Sequence, residues 1–270
     1  MAPAEQAPRR IARPDLSSGI IGRLAVAIPG GLILLFFILQ GAQTPELFAG
    51  FVLVLGCIAL HEFYDMTTTF HPVRLAGFIS LIALIAAGTW GDQFQMMIVV
   101  VASFPIVFLV SVAIGRTEQA TVAIAVTLFG AFWIGLALGH AVLLERLPHG
   151  DKVVLVILLG TFLGDTCAYA FGKLFGRHKL APKLSPNKTF EGLVAGLVGA
   201  TFVVWFAGLY QPWISDTESL LLGVAVAVAA PIGDLFESLI KRDVGVKDTG
   251  RVFGAHGGAL DRADAAFFAL

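Results

Sequence analysis

The chain has 270 residues, a formal net charge of −1, and a composition that is 57% hydrophobic but only 14% charged. Soluble domains carry about 25% charged residues, so the composition argues against a water-soluble globular fold and points to the bilayer as solvent. The charge sum favours no partner by itself, and no nucleic-acid partner is expected.

Residues 1–18 are polar, hold three prolines and read as a loose arm. The first apolar run after them lacks a small-residue cleavage site and is too long for a signal-peptide core, so no cleavable leader is expected. A membrane-crossing helix needs about 20 apolar residues. Eight such stretches follow, at 20–40, 46–63, 75–91, 94–114, 120–144, 153–173, 187–210 and 219–240. Pro29 with Gly30 and Gly31, and later Pro105, predict kinks in the first and fourth. A ninth apolar stretch begins near Arg262 and stops at Leu270, so it is short or truncated. The expected fold is all-α and polytopic, with eight full transmembrane helices plus that short ninth. Residues 19–270 form one transmembrane catalytic domain, with cytoplasmic loops at 174–186 and 241–261.

Lysine and arginine orient the spans, because cytoplasmic loops carry the excess. The amino-terminal side and the loops after spans two, four, six and eight hold four, one, one, five and five of them. That is 16 of the 18 in the chain, and the alternate loops hold only Arg146 and Lys152. The amino terminus and both strongly basic loops are therefore expected on the cytoplasmic side. Cys57 and Cys167 lie inside apolar runs and read as buried thiols rather than a disulfide framework.

Taken in chain order, "HEFYD" at His61–Asp65 begins like a zinc motif but places Asp65 where HExxH needs its second histidine. Glu62 can still face the bundle interior. Charge inside a membrane is costly, which singles out Asp165 in the sixth span and Asp234 and Glu237 in the eighth. Between these spans, Ser185 before Pro186 predicts a helix start. Lys188, Thr189 and Glu191 would then fall in the first turns, where backbone N–H groups attract anions. A capped helix with a snorkelling lysine is the plainer alternative there.

Asp234, Glu237, Ser238 and Lys241 share one helix face by their spacing. For Asp234 two readings stand, an ion pair with a base such as Lys241 or a metal ligand. Asp261 follows the same loop and can return to meet Asp234. It can also merely cap the last helix, with Asp264 adding dipole charge. Hard cations such as Mg²⁺ take carboxylate oxygens of this kind together with substrate phosphates. Gly257 and Gly258 after His256 permit backbone N–H groups to approach an anion. Lys241, Arg242, Lys247, Arg251 and Arg262 add positive charge. Acids, glycine turn and cations together suit a polyphosphate with its metal, against the alternative of a basic loop on anionic headgroups.

The run S-x-x-K-R-x₄-K-D-x-G-x₃-G-x-H-G-G-x₂-D-R-x-D, from Ser238 to Asp264, resembles the signature of the phosphatidate cytidylyltransferases, the CDP-diacylglycerol synthases. "GDTCAYAFGKLFGRHKLAPKLSPNKTFEG", Gly164 to Gly192, is similar to that family as well. The sequence departs from many members at Gly254 and Ala255 before His256, and at Ala265. The resemblance implies an enzyme that makes CDP-diacylglycerol and pyrophosphate from CTP and phosphatidate with Mg²⁺, leaving room for a second cation. It implies Asp234 and Asp261 as metal-binding acids. Lys247, Asp248, His256 and the glycines would form its substrate loop, and Ser185, Lys188, Thr189 and Glu191 its other polar motif. Phosphatidate would enter from the cytoplasmic leaflet, and a homodimer is left open. Two rival readings are another CTP-using lipid enzyme (a polyprenol kinase or an archaeal-type lipid cytidylyltransferase) and an ion-coupled transporter built on the same acids.

Overall fold

The computed structural model describes residues 20–115, 118–250 and 257–270, with side chains described from Ile28 onward. The polar arm, Arg116, Arg251 and His256 lie outside the described residues. The chain is almost entirely helical. Its helices are α1 (Ile20–Gly41), α2 (Pro45–Met66), α3 (Arg74–Trp90), α4 (Gln93–Ala113), α5 (Ala120–Glu145), α6 (Gly150–Phe175), α7 (Phe190–Gly208) and α8 (Asp216–Asp243), then the short turns α9 (Leu260–Ala263) and α10 (Ala266–Ala269).

Each expected apolar stretch is a helix, and α4 runs on through Pro105. Six of them, α2 and α4 through α8, are long and apolar enough to cross a bilayer. The described part of α1, Ile28–Gly41, and the 17-residue α3 are shorter apolar helices. The chain is an integral membrane protein. Its exterior fits that solvent, since α4 presents Phe94, Met97, Val101, Phe104 and Phe108 outward.

Two sequence expectations are corrected. The segment after α6 is not all loop. It forms an antiparallel hairpin of β1 (Lys179–Ala181) and β2 (Ser185–Thr189), with Lys179 opposite Thr189 and Ala181 opposite Ser185. Ser185 therefore starts a strand, and α7 starts five residues later. Its cap is Thr189, held in extended backbone at φ −129°, whose side-chain oxygen accepts the Gly192 N–H. Proline suits an edge strand as well as a first helical turn, so Ser-Pro alone does not choose between them. The ninth apolar stretch is likewise not a straight helix. It is the pair of four-residue turns α9, packed against α2, and α10, packed against α8, α5 and α6.

The core sits among α2, α3 and α5, where Phe48, Leu60, Phe63, Tyr64, Leu81 and Ile134 are buried. The Tyr64 hydroxyl reaches across this core and donates to the Thr127 carbonyl at 2.8 Å. Between α6 and α7 small residues replace large ones. A Cβ on Gly192 would stand 2.6 Å from the Ala168 carbonyl oxygen, and one on Gly164 2.8 Å from the Ala200 Cβ. Backbones that approach this closely gain dispersion contact that lipid-facing chains lack. The same approach carries Asp165 on α6 toward the hairpin that leads into α7.

Candidate active site

The acids of α6 and α8, the hairpin and the carboxy-terminal turns converge near the α8 carboxy terminus. Lys188, on β2, extends to α8 and pairs with Asp234 at 2.5 Å. Asp165 feels the charges of Asp234, Asp264 and Lys188. One turn further along α8, Glu237 is fully buried and pairs with Lys241 at 2.9 Å, the i, i+4 partner on its own helix. Lys241 also donates to Asp261 Oδ1 at 2.8 Å. The ion-pair reading of Asp234 thus holds with a different base, Lys188 in place of Lys241. The arrangement could not be read from spacing alone, because Lys188 arrives on a strand 46 residues upstream.

Asp261 is not a helix cap. Ala259 stands at the cap of α9, and Asp261 lies inside its first turn. Its Oδ2 turns back to accept the Gly258 N–H at 2.8 Å and the Thr249 N–H at 2.9 Å. The carboxylate therefore ties both described edges of the loop to Lys241. Burial pushes its carboxyl up, but the Lys241 ammonium and the two N–H groups outweigh burial and hold it below the ordinary carboxylate range. Asp264 meets the opposite balance. Burial first, and the charge of Asp234 second, push its carboxyl up to about 6. It contacts Glu237, so the two carboxyls face each other.

Gly257 has φ +81°, a conformation that favours glycine. A Cβ there would lie 2.6 Å from Asp261 Oδ2. Lys247, Asp248 and Arg262 are exposed around this turn. Arg242 Nε donates to the Leu184 carbonyl at 3.2 Å and so fastens the hairpin tip to the end of α8. Glu191 accepts the Arg177 N–H at 3.1 Å, and its Oε1 lies 2.6 Å from His178 Nδ1. It braces the entry to the hairpin, and His178 is a partner that residue spacing did not indicate. Ser185 is half-buried at the start of β2, and Thr189 is spent on its cap.

Two groups emerge that the sequence signal did not rank. Asp264 closes the DRxD run, yet its pairing with Glu237 depends on the α9–α10 bend. Glu62, on α2, is buried at 4% exposure and accepts the Leu260 N–H through Oε2 at 3.0 Å. Only its place in an apolar helix hinted at an interior role.

Within the described residues, five carboxylates (Asp165, Asp234, Glu237, Asp261 and Asp264) and two lysine ammonium groups, Lys188 and Lys241, are linked along this side of α8. Among the described residues no three His, Cys, Asp or Glu side chains already converge on one point as a complete metal cage. Hard oxygen donors in excess of local positive charge suit Mg²⁺, which is typically held by one or two carboxylates and completed by substrate phosphates and water.

The model of the cytidylyltransferase family matches residues 21–270. Among similar proteins is a phosphatidate cytidylyltransferase of Staphylococcus aureus, 34% identical over 256 residues, covering 92% of this chain and 95% of the relative. The phosphatidate cytidylyltransferases of Staphylococcus haemolyticus and Staphylococcus epidermidis are 33% and 34% identical over 255 residues, with the same coverage. This chain belongs to the cytidylyltransferase family.

Proposed function

We propose, with membership of the cytidylyltransferase family as the premise, that the chain converts CTP and phosphatidate into CDP-diacylglycerol and pyrophosphate. A phosphate oxygen of phosphatidate attacks the α-phosphorus of CTP. The bond from that phosphorus to the β-phosphate bridging oxygen breaks, and pyrophosphate leaves with the electron pair. The observation that carries the reading is that Lys188–Asp234 and Lys241–Asp261 lie two turns apart along the carboxy-terminal half of α8. Together they join the two segments that resemble the family signature.

Phosphoryl chemistry of this type is mostly positioning and charge stabilisation, so no covalent nucleophile is required. Asp234 and Asp261 would hold Mg²⁺, with Asp165 and Asp264 adding negative potential on the Asp234 side. When bound, Mg²⁺ neutralises phosphate oxygens as charge develops on them. Lys188 and Lys241 already occupy carboxylate oxygens, so both are placed to pass from carboxylate to phosphate as an anionic substrate arrives. Lys247, Arg242 and Arg262 supply further positive charge at the mouth. Gly257 and Gly258 keep side chains away from the backbone that faces Asp261. Asp248 and His256 complete the proposed loop.

The charge alternation supports placing the cleft on the cytoplasmic side of a bacterial inner membrane, with phosphatidate reaching it from that leaflet. Cysteines introduced at Gly176 and Gly245 should react with an impermeant reagent only from the cytoplasmic side, and those at Gln43 and Ser215 only from outside. For the reaction, purified protein is given CTP, Mg²⁺ and a panel of lipid acceptors. CDP-diacylglycerol and pyrophosphate should appear in equal amounts with phosphatidate alone. Turnover of another lipid in preference, or no CTP consumption, overturns the reading.

A further inference from the structure

The signature segments lie on α6 through α10, yet a buried carboxylate from α2 stands beneath the glycine turn. Glu62 Oε2 accepts the Leu260 N–H. Gly250, at one edge of the loop, faces Glu62 so closely that a Cβ would overlap its carboxylate. Gly258, at the other edge, does the same, and a Cβ there would also lie 2.5 Å from Thr249 Oγ1. Glu62 Oε1 and Thr249 Oγ1 are both buried and have no hydrogen-bond partner among the described residues. A single acid therefore touches both edges of the segment 251–256. Immediately beside it, Asp261 Oδ2 binds the N–H groups of Thr249 and Gly258.

Leaving a carboxylate oxygen buried and unpaired is destabilising. Satisfying the Leu260 N–H alone does not demand so expensive an acceptor. The acid also fits only because two glycines make room for it. We infer that Glu62 is a positioning residue for the reaction: it holds Gly250 and Gly258–Leu260 from α2 and sets the height at which Gly258 and Asp261 meet the nucleotide. The inference rests on the function proposed above. Glu62 does not touch substrate. It acts by fixing Gly258, Leu260 and, through the shared turn, the Asp261 carboxylate.

The effect falls on the nucleotide more than on the lipid, because the braced atoms are those of the phosphate-facing turn. Turnover is measured at fixed temperature below the melting transition, against CTP and against phosphatidate, for wild type, Glu62→Gln, Glu62→Ala and Gly250→Ala. Glu62→Ala should raise the KM for CTP at least ~30-fold, with the KM for phosphatidate within about threefold of wild type. Glu62→Gln keeps an acceptor for the Leu260 N–H and should stay within about fivefold of wild type. Gly250→Ala forces a methyl against the carboxylate and should show the same CTP-selective defect in a protein whose α2 is intact, which serves if Glu62→Ala does not fold. Introducing Glu62→Ala into Gly250→Ala should add little further loss, because both changes act through the same contact.

Unchanged CTP dependence in both Glu62→Ala and Gly250→Ala overturns the inference, whatever happens to the melting temperature. Equal loss toward CTP and phosphatidate overturns it too, since that is the mark of a merely structural residue. Glu62→Gln as impaired as Glu62→Ala also sinks the brace, by showing that charge and not geometry matters. Wild-type protein that fails to turn over CTP defeats the functional reading instead, and is seen before any variant is made.

Discussion

The α2–α3–α5 scaffold and the α6–α8 half answer the same solvent in different ways. In the most apolar stretch of α5, 56% of residues are buried, against 22% in α7. The scaffold fills its interior with Phe48, Phe63, Tyr64 and Ile134 and ties its helices by long polar contacts such as Tyr64 to Thr127 and Arg146 to Gly88. Glu145 and Trp133 on α5 nonetheless keep buried polar atoms without a hydrogen-bond partner among the described residues. The other half joins its helices through small residues and spends its interior on acids that are only partly compensated. Burying charge beside like charge works against folding, and such strain is characteristic of sites that exchange a cation or a substrate. Aromatic and aliphatic packing dominates one region, and clustered acids with their lysine partners dominate the other. Glu62 is where the first region reaches into the second.

The largest effect expected from that division is at the two acids assigned to the metal. Asp234→Ala and Asp261→Ala should each lower turnover at least ~100-fold, the scale on which charge stabilisation acts in such sites. Asp234→Ala should lower the melting temperature little, because its carboxyl is partly exposed. Asp261→Ala leaves Lys241 and the Gly258 and Thr249 N–H groups without that partner and should lower it by several degrees. Turnover against Mg²⁺ concentration, with a thermal melt of each variant in detergent, decides it. Near-normal turnover of Asp261→Asn at ordinary Mg²⁺ would show that binding the Gly258 and Thr249 N–H groups is its whole role.

The helices were legible because membrane spans announce themselves by length and apolarity alone, and all eight stretches became helices. What the sequence hid follows from long-range geometry. Lys188 and Asp234 are far apart in the chain and meet only because Ser185–Thr189 adopts a strand, which a Ser-Pro pair does not distinguish from a helix cap. Asp234, Glu237 and Lys241 were placed on one face by spacing, and the Glu237–Lys241 pair follows from it. The two-ended acid pattern suggested a return of Asp261 to Asp234; the ion pairs seen are Lys241–Asp261 and Lys188–Asp234. Asp264 and Glu62 were missed as site groups because their neighbours come from a chain reversal and from a helix about 200 residues away, neither of which leaves a local periodicity.

A smaller effect should appear at Lys188. Lys188→Met removes the Asp234 partner and a phosphate-directed cation, and a loss of roughly 10- to 100-fold in turnover is expected, with the larger share in KM for CTP. Lys188→Arg should recover only part, since the planar guanidinium cannot occupy the same point as an ammonium. Full activity in Lys188→Met would remove the hairpin from the site and leave α8 and the carboxy-terminal turns to act alone.

Asp264 tests the tension directly. Its carboxyl is raised to about 6 by burial and by Asp234, so the folded protein holds its proton more tightly than the unfolded chain does. The resulting cost is absent below the unfolded value near 4 and grows until the pH passes about 6. Metal-free protein should therefore lose stability as pH rises across that window. Asp264→Asn should flatten the loss and raise the melting temperature by a few degrees at pH 7.5, while lowering turnover. A variant that is both more stable and fully active would show that the acid contributes no useful potential to the cleft.

The smallest effect belongs to the scaffold, and it makes the comparison two-sided. Tyr64→Phe keeps the ring packed against Phe63 and Phe78 and deletes only the hydroxyl that donates to the Thr127 carbonyl at 2.8 Å. A buried hydrogen bond contributes about 1 kcal/mol net, and an orphaned acceptor adds to the cost of losing it. Thr127 limits that cost, because its carbonyl lies in mid-helix and keeps its place in the α5 ladder. The space left against Gly77, which packs on this hydroxyl, is smaller than a methyl group's worth of core and adds little. The melting temperature should fall by a few degrees, with kcat and both KM values within about twofold of wild type. A kinetic defect as large as that of Lys188→Met would mean that strain in α2 and α5 passes through the bundle to the cleft. The division between scaffold and site would then be false, and Glu62 would be one of several couplings rather than the bridge between them.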